Sequence, residues 1–303
     1  MFRGIKTSSK GLIHCMRRLH PGLPSSFKIG CVSVKLFFAM IVNFICVAGR
    51  SQTIHRSIQI PYGGAGLYSQ NFPNVFSFAA NQASLASQQG FTAGLYGEKR
   101  FLMDELQFCS IAITAPSFSG QFGILVNYSG FSEYSESKIG LAYGKKLGKL
   151  VDIGVQFDYN FFHVSGYENF TAISSGLGIL LHPAEKINIG IALCNPFGGT
   201  IDNSGEKISS LFRFGMGYDA SEQVYIQFEL IKEESIPVYA NAGLRYAFAT
   251  QFFAGIGIQS SSASPYGYAG WRWKNFRIDI EASYHSQLGF TPAIIFIFYG
   301  ERK

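Results

Sequence analysis

From Gly90 onward the chain alternates apolar and polar side chains with a period of two, the spacing that places successive residues on opposite faces of a β-strand. In segment 151–161, Val151, Ile153, Val155, Phe157, Tyr159 and Phe161 point one way, and Asp152, Gln156, Asp158 and Asn160 the other. Segment 237–248 sets Val238, Ala240, Ala242, Leu244, Tyr246 and Phe248 against Asn241 and Arg245. The pattern is cleanest over 276–285, where Phe276, Ile278, Ile280, Ala282 and Tyr284 oppose Arg277, Asp279, Glu281, Ser283 and His285. No long helix-period stretch interrupts, and turn residues recur, as at Ala115-Pro116-Ser117, Leu147-Gly148-Lys149, His182-Pro183-Ala184-Glu185 and Lys274-Asn275. The pattern predicts 14 strands, near 90–101, 107–115, 118–129, 134–147, 150–163, 169–182, 186–195, 207–218, 223–233, 237–248, 251–260, 264–273, 276–286 and 289–299.

A soluble barrel and a membrane barrel share this period, so the chemistry of the two faces decides between them. A soluble barrel coats its outside with Lys and Glu, and 14 strands enclose more space than side chains fill. Here the polar face is sparse and rich in Gly, Ser and Asn. The apolar face is broad and ends in aromatics such as Tyr246/Phe248, Trp271/Trp273 and Phe298/Tyr299, which suits interfacial girdles. Glycines inside the strands (Gly140, Gly154, Gly176, Gly178, Gly190, Gly215, Gly217, Gly255, Gly257) would weaken a soluble sheet; in a closed barrel they permit bends and close packing. The expected fold is all-β, a transmembrane antiparallel β-barrel over 90–303 with a short N-terminal plug.

Composition agrees, with 34 Gly and 45 Phe or Tyr in 303 residues and only 15% charged side chains. The net charge of +6 suggests a nucleic-acid partner until its distribution is read. Eight of the 25 Lys/Arg fall within residues 1–51, which hold no Asp or Glu, leaving 17 bases against all 19 acids. No basic footprint for phosphate remains in the part expected to fold.

Residues 1–51 read as a leader. Leu36–Ala48 is a 13-residue apolar run followed by Gly49 and Ser51, the length of a secretory h-region and short of a spanning helix. A start at Val34 gives a compact signal peptide over 34–51, with 1–33 an over-long gene reading and export to the bacterial outer membrane the expected outcome. A mitochondrial presequence would account for the Arg-rich start but not for the apolar run. Beyond the leader only Cys109 and Cys194 remain, expected as two separate buried thiols.

Residues 52–89 differ in kind. Pro61-Tyr62-Gly63-Gly64-Ala65-Gly66 is followed by Asn71-Phe72-Pro73-Asn74 and then by Ala79-Ala80-Asn81-Gln82-Ala83-Ser84-Leu85-Ala86, a glycine-rich extended piece and a short helix. This order, with a strand next, resembles the start of the FadL/PorV-like family of outer-membrane proteins. There a Gly-Gly-Ala-Gly segment and an Asn-Pro-Ala-(Ser/Gly)-Leu-Ala segment precede a 14-stranded barrel. The resemblance is specific over 61–101 and implies a plug or gate in which Gly63, Gly64, Gly66, Asn81 and Ala83 take part. Gln82 stands where the family has Pro, which predicts a looser turn into the helix. Family members carry hydrophobic compounds across the outer membrane or, in the Bacteroidetes PorV branch, serve type IX secretion. The implied partners are therefore outer-membrane lipid with a hydrophobic solute or with secretion-complex subunits.

Catalytic motifs have simpler explanations. Gly215-Met216-Gly217-Tyr218-Asp219-Ala220 matches a dinucleotide fingerprint, but a strand follows it where a helix is needed. His163 and Ser165 share one side of a strand end without an orienting acid. No metal or cofactor signature is present, and no enzyme is expected. Lumen-facing charges remain: Asp152, Asp158, Arg213, Glu229, Arg245, Arg272, Arg277, Asp279 and Glu281. Their mixed signs predict ion pairs that knit the interior; a selectivity lining would favour one sign. Two functions follow as expectations, passive transport of small hydrophobic or amphipathic solutes and a structural or adaptor barrel of a secretion complex.

Overall fold

The computed structural model describes residues 66–88, 90–167, 169–198, 208–234, 236–261 and 263–300. The expected leader and the glycines Gly63 and Gly64 lie outside the described residues. Fourteen strands follow one another: β1 (Thr92–Lys99), β2 (Gln107–Pro116), β3 (Gln121–Gly130), β4 (Tyr134–Leu147), β5 (Val151–Val164), β6 (Phe170–Ala184), β7 (Ile187–Cys194), β8 (Leu211–Asp219), β9 (Val224–Glu233), β10 (Tyr239–Ala247), β11 (Phe252–Gln259), β12 (Ser264–Trp273), β13 (Phe276–His285) and β14 (Gly289–Tyr299). Each pairs antiparallel with its neighbours in sequence, and β14 returns to β1 with Tyr299 opposite Thr92, so the sheet closes into a transmembrane β-barrel.

Closure satisfies every strand edge, which a hydrocarbon environment demands. β1 begins and β14 ends at the same rim, where the connections are the short turns 117–120, 148–150, 185–186, 220–223, 248–251 and 274–275. The opposite rim carries the seven-residue link 100–106 and the long connection between β7 and β8 beside the shorter links 131–133 and 286–288. Barrels of this class keep short turns on the periplasmic side, which orients the two rims. In the two-residue turn 274–275 Lys274 takes the left-handed φ of +50° and the Asn275 Nδ2 donates to the Tyr299 carbonyl at 2.8 Å. A turn was expected at His182-Pro183-Ala184-Glu185, yet β6 continues to Ala184 and its register against β7 shifts between Leu181 and Ala184. Pro183 has no N–H to give the ladder, and an irregularity absorbs the break.

The burial pattern is that of a soluble protein turned inside out. On the outward face Phe157, Ile173 and Ile280 are 62%, 68% and 65% exposed, while the inward-facing Gln156, Asp279 and Glu229 are at most 2% exposed. So many large exposed aliphatics in one band mark a lipid-contacting surface. Near the short-turn rim Phe248, Phe252, Trp271 and Trp273 stack in sequence, centroids 6.1–6.3 Å apart and planes within 16°. At the other rim Tyr284 packs on Phe290 at 4.9 Å. These are positions where amphipathic rings bridge hydrocarbon and headgroup. Cys109 belongs to the outward set, because odd-numbered residues of β2 face outward; it is exposed and not the buried thiol expected, and both Cys109 and Cys194 are free.

This inversion gives a direct prediction. Ile280 lies mid-strand between Ala269 on β12 and Ile294 on β14, so Ile280→Arg is expected to cost about 2–4 kcal/mol, the penalty for a cation at the bilayer midplane. Ser283→Arg, on the inward face of the same strand, should cost much less. Urea unfolding of the two variants refolded into lipid vesicles measures the difference. Equal losses would mean the strand faces are wrongly assigned, since a one-residue slip exchanges them.

Candidate functional site

Residues 66–88 lie inside the barrel, against the inward faces of its strands. The segment folds as a single helical turn α1 (Ser77–Ala80) and a 3₁₀ segment Gln82–Ser87, shorter pieces than the one helix expected. Asn81 separates them with extended φ/ψ, and its Oδ1 accepts from the Ala83 N–H at 3.0 Å, an Asx cap. The junction is therefore closed by a side-chain bond, and Gln82 is buried; the looser turn expected from the missing Pro is not seen.

What admits the segment is a bed of wall glycines. Gly144, Gly154 and Gly178 stand side by side on β4, β5 and β6, with Ala192 next on β7. A Cβ at Gly154 would lie 2.2 Å from the Gln82 carbonyl carbon, and one at Gly178 would lie 2.1 Å from Asn81 Oδ1. Gly190 and Gly215 leave the room that the Tyr68 ring fills, and Gly94 the room filled by Val75 and Phe76. A side chain at any of these positions would collide with the plug, so these glycines act by their missing Cβ more than by bending the strands. Gly66 itself has φ +91° and passes so close to Phe72 that a Cβ would lie 2.4 Å from its carbonyl oxygen. On the opposite wall the same device is used differently: Tyr268 lies over Gly255, Tyr266 over Gly257 and Phe253 over Gly270.

Polar anchors fix the plug. The Tyr68 hydroxyl donates to Glu229 Oε1 at 3.0 Å; Arg213 Nη1 reaches the same oxygen at 2.9 Å, and Asn241 Nδ2 donates to Oε2 at 3.1 Å. Burial, and after it the Glu229 carboxylate, holds the Tyr68 phenol well above its ordinary range, so it stays a donor. Nearer the short-turn rim the Ser69 hydroxyl and the Gln70 N–H donate to Asp219, and Asn188 Nδ2 donates to the Tyr68 carbonyl at 2.8 Å. Asp152 accepts from Ser87 Oγ at 3.0 Å and lies 3.1 Å from His182 Nε2, whose Nδ1 faces Asn188 Oδ1.

On the β10–β14 side the wall fills the lumen itself. The Arg245 guanidinium is sandwiched between Phe72 of the plug and Phe253 of the wall, 4.4 and 3.7 Å from the ring centroids. Arg277 Nε donates to Asp279 Oδ1 at 2.9 Å and Nη1 to the Pro73 carbonyl at 3.3 Å. Glu281 is buried beside them, and Arg272 lies half-buried over the Tyr299 ring. Nine charges were singled out from sequence. The structure brings Arg213 to Glu229, Arg277 to Asp279 and Asp152 to His182, and sets Asp158 apart near the long-loop rim. Tyr68, Lys138, His182 and Asn188 were not singled out, and Gln82 was read only as the residue standing in place of a family Pro. The sequence signal was inward parity for the three on strands and a place in the plug for the other two, which carries no chemistry by itself.

The space left is small. Above α1, toward the long-loop rim, a cavity of about 40 Å³ lies among Lys138, Gln156, Asp158, Phe162, Leu211 and Arg213. That is room for about three waters, well below the roughly 150 Å³ cavity that accepts a benzene. A second cavity of about 20 Å³ lies under the plug between Tyr68, Ser84 and His182. At the long-loop rim His163 Nδ1 lies 2.7 Å from Asn169 Oδ1 at an exposed strand end. Among the described residues no group of three His, Cys, Asp or Glu side chains is placed to hold a metal ion.

Solved structures share this architecture. A "CymD monoaromatic hydrocarbon channel" matches with a TM-score of 0.57 at 11% identity, over 79% of this chain and 96% of that one. The toluene transporter TbuX of Ralstonia pickettii gives 0.56 at 10% identity, over 75% and 94%, and the toluene transporter TodX of Pseudomonas putida 0.57 at 8%, over 77% and 95%. The shared property is the fold. No protein-family model matches the sequence, and no curated protein matches it either.

Proposed function

We propose that this protein is an outer-membrane channel that passes small hydrophobic or amphipathic solutes, with residues 66–88 as its gate. One observation carries the reading: a separate segment of the chain lies inside the barrel on a bed of wall glycines, at Gly144, Gly154, Gly178, Gly190 and Gly215. Withdrawal of that segment uncovers a bed already free of side chains on β4–β8, while the barrel keeps all of its interstrand bonds. The fold shared with hydrocarbon channels and toluene transporters supports the same direction. The FadL/PorV-like resemblance at 61–101 adds the expected place of the gate, with Gly66, Asn81 and Ala83 at its contacts.

The adaptor reading, a barrel serving a secretion complex of the PorV kind, draws on the permanently filled β10–β14 side, where Arg245, Arg277 and Phe253 leave no room. The two readings separate in a cell. A strain lacking the protein should take up a labelled monoaromatic hydrocarbon more slowly than the complemented strain, and a variant lacking residues 66–88 should conduct in planar bilayers. Unchanged uptake together with a silent deletion variant would sink the channel reading and leave the adaptor.

A further inference from the structure

Residues 66–88 contain no Asp, Glu, Lys, Arg or His, so any response of the plug to pH near neutrality must come from the wall groups that hold it. One such group stands at the short-turn rim. His182, near the end of β6, has Asp152 Oδ2 at 3.1 Å from its Nε2 and Asn188 Oδ1 at 2.6 Å from its Nδ1. Both neighbours are themselves plug anchors: Asp152 Oδ2 accepts from the Ser87 hydroxyl at 3.0 Å, and Asn188 Nδ2 donates to the Tyr68 carbonyl at 2.8 Å. Through them one imidazole joins the holds on the two ends of the plug.

The Asn188 amide is fixed in its orientation. Reversing it would set its oxygen against the Tyr68 carbonyl oxygen and its nitrogen against Gln70 Nε2, which now donates to Oδ1 at 3.3 Å. Both ring nitrogens of His182 therefore face oxygens that accept, and an imidazole serves two acceptors only with a proton on each nitrogen. The neutral ring has a single N–H, and its other nitrogen would meet an oxygen lone pair. Among the described residues, the charged groups around the ring are Asp152 of β5, the exposed Lys146 opposite it on β4, the exposed Glu185 and Lys186 of the following turn, and Asp219 of β8. Asp219 is already engaged by the plug, taking the Ser69 hydroxyl and the Gln70 N–H.

We infer that His182 is a pH latch on the plug: as the imidazolium it ties Asp152 to Asn188 and holds residues 66–88 in place, and on losing one proton it releases one of the two ties. The sign follows from the count of donors. The protonated ring serves both acceptors and the neutral ring one, so low pH holds the plug and rising pH loosens it. The inference deepens the channel reading and rests on it for the opening of a path, while the latch itself concerns only the order of the plug.

Amide hydrogen exchange of the full chain in detergent micelles reads that order, with each rate divided by the intrinsic rate at the same pH and the strand β13 as internal reference. Between about pH 5 and about pH 9, a span that brackets the charge change of histidine, protection over 66–88 should fall about tenfold relative to β13, the size expected on losing one hydrogen bond to a charged group. His182→Gln, which carries no charge and does not titrate, should leave the plug poorly protected at both ends of the range. Asp152→Asn offers an N–H that a neutral ring can accept, so there the fall with rising pH should disappear. His163→Gln and Lys146→Gln should keep it. Heat-modifiable migration confirms that each variant is folded, and the pH series on the unaltered protein stands even where a variant is not.

Plug protection that does not change with pH in the unaltered protein, or that falls equally in His182→Gln, overturns the inference. Planar bilayers at the same pH values read passage separately. Current or hydrocarbon uptake without any pH dependence of plug order would keep the channel and remove the latch. A plug that loosens through His182 while the bilayers stay silent would keep the latch and count against the channel.

Discussion

Replacing Glu229 by Leu is expected to cost about 3–5 kcal/mol, the loss typical of removing one member of a buried ion pair. Glu229 is fully buried, and its two oxygens serve three donors from three elements: Arg213 on β8, Asn241 on β10 and Tyr68 of the plug. Leu would leave the guanidinium in the interior without this carboxylate, and two further donors without their acceptor. Part of the loss should return when the cation is removed as well. The double variant Arg213→Leu, Glu229→Leu replaces both charges with apolar volume and should be more stable than Glu229→Leu alone. Urea unfolding in lipid vesicles, followed by the fluorescence of Trp271 and Trp273, gives all three values. A single variant as stable as the parent, or a double variant no better than the single, would show that the pair does not hold the interior.

The second large effect concerns passage. Gly154→Val should expel the plug, because the new Cβ would stand 2.2 Å from the backbone of Gln82 and about as close to the Ala83 nitrogen, atoms that no rotamer change can move aside. Valine is otherwise a better strand residue than glycine, so the barrel itself should gain if it changes at all. Planar bilayers should then show a resolved single-channel current where the parent is silent, with heat-modifiable migration retained. Gly97→Val is the control, since a Cβ there meets nothing within 4 Å. A silent Gly154→Val variant would mean that the lumen stays shut without the plug, through Arg245, Arg277 and Phe253 of the opposite wall.

The strands were legible from sequence because lipid outside and a polar lumen inside impose one simple alternation on every one of them. Segments predicted near 151–161 and 276–285 are strands β5 and β13, with Ile280 outward and Asp279 inward. The exceptions have local causes, such as Pro183, whose missing N–H makes an irregularity inside β6 look like a turn. The plug was visible as a change of texture before the barrel; of its glycines only Gly66 is among the described residues, and its close approach is to Phe72 within the plug and not to the strand wall.

Partners across the lumen were not legible. Parity says that Arg213, Glu229, Lys138 and Asp158 face inward; it cannot say that the first two meet and the last two do not. Glu229 lies opposite Gly215, diagonal to Arg213, and reaches it across two adjacent strands, whereas Lys138 and Asp158, also diagonal, are separated by the way Gln156 draws the carboxylate over Gly140. Both outcomes depend on side-chain direction within a curved wall. Nor could sequence tell that Gly144, Gly154 and Gly178, spread over 35 positions, fall into one row: strand shear and closure set that register, and the row exists only once β4, β5 and β6 are paired. Alternation along the chain determined that a membrane barrel forms and which way each residue faces, because those are properties of one strand in its solvent. The glycine bed and the pairing of charges inside the barrel were decided by tertiary structure, because they are properties of neighbours that the chain brings together only on closing.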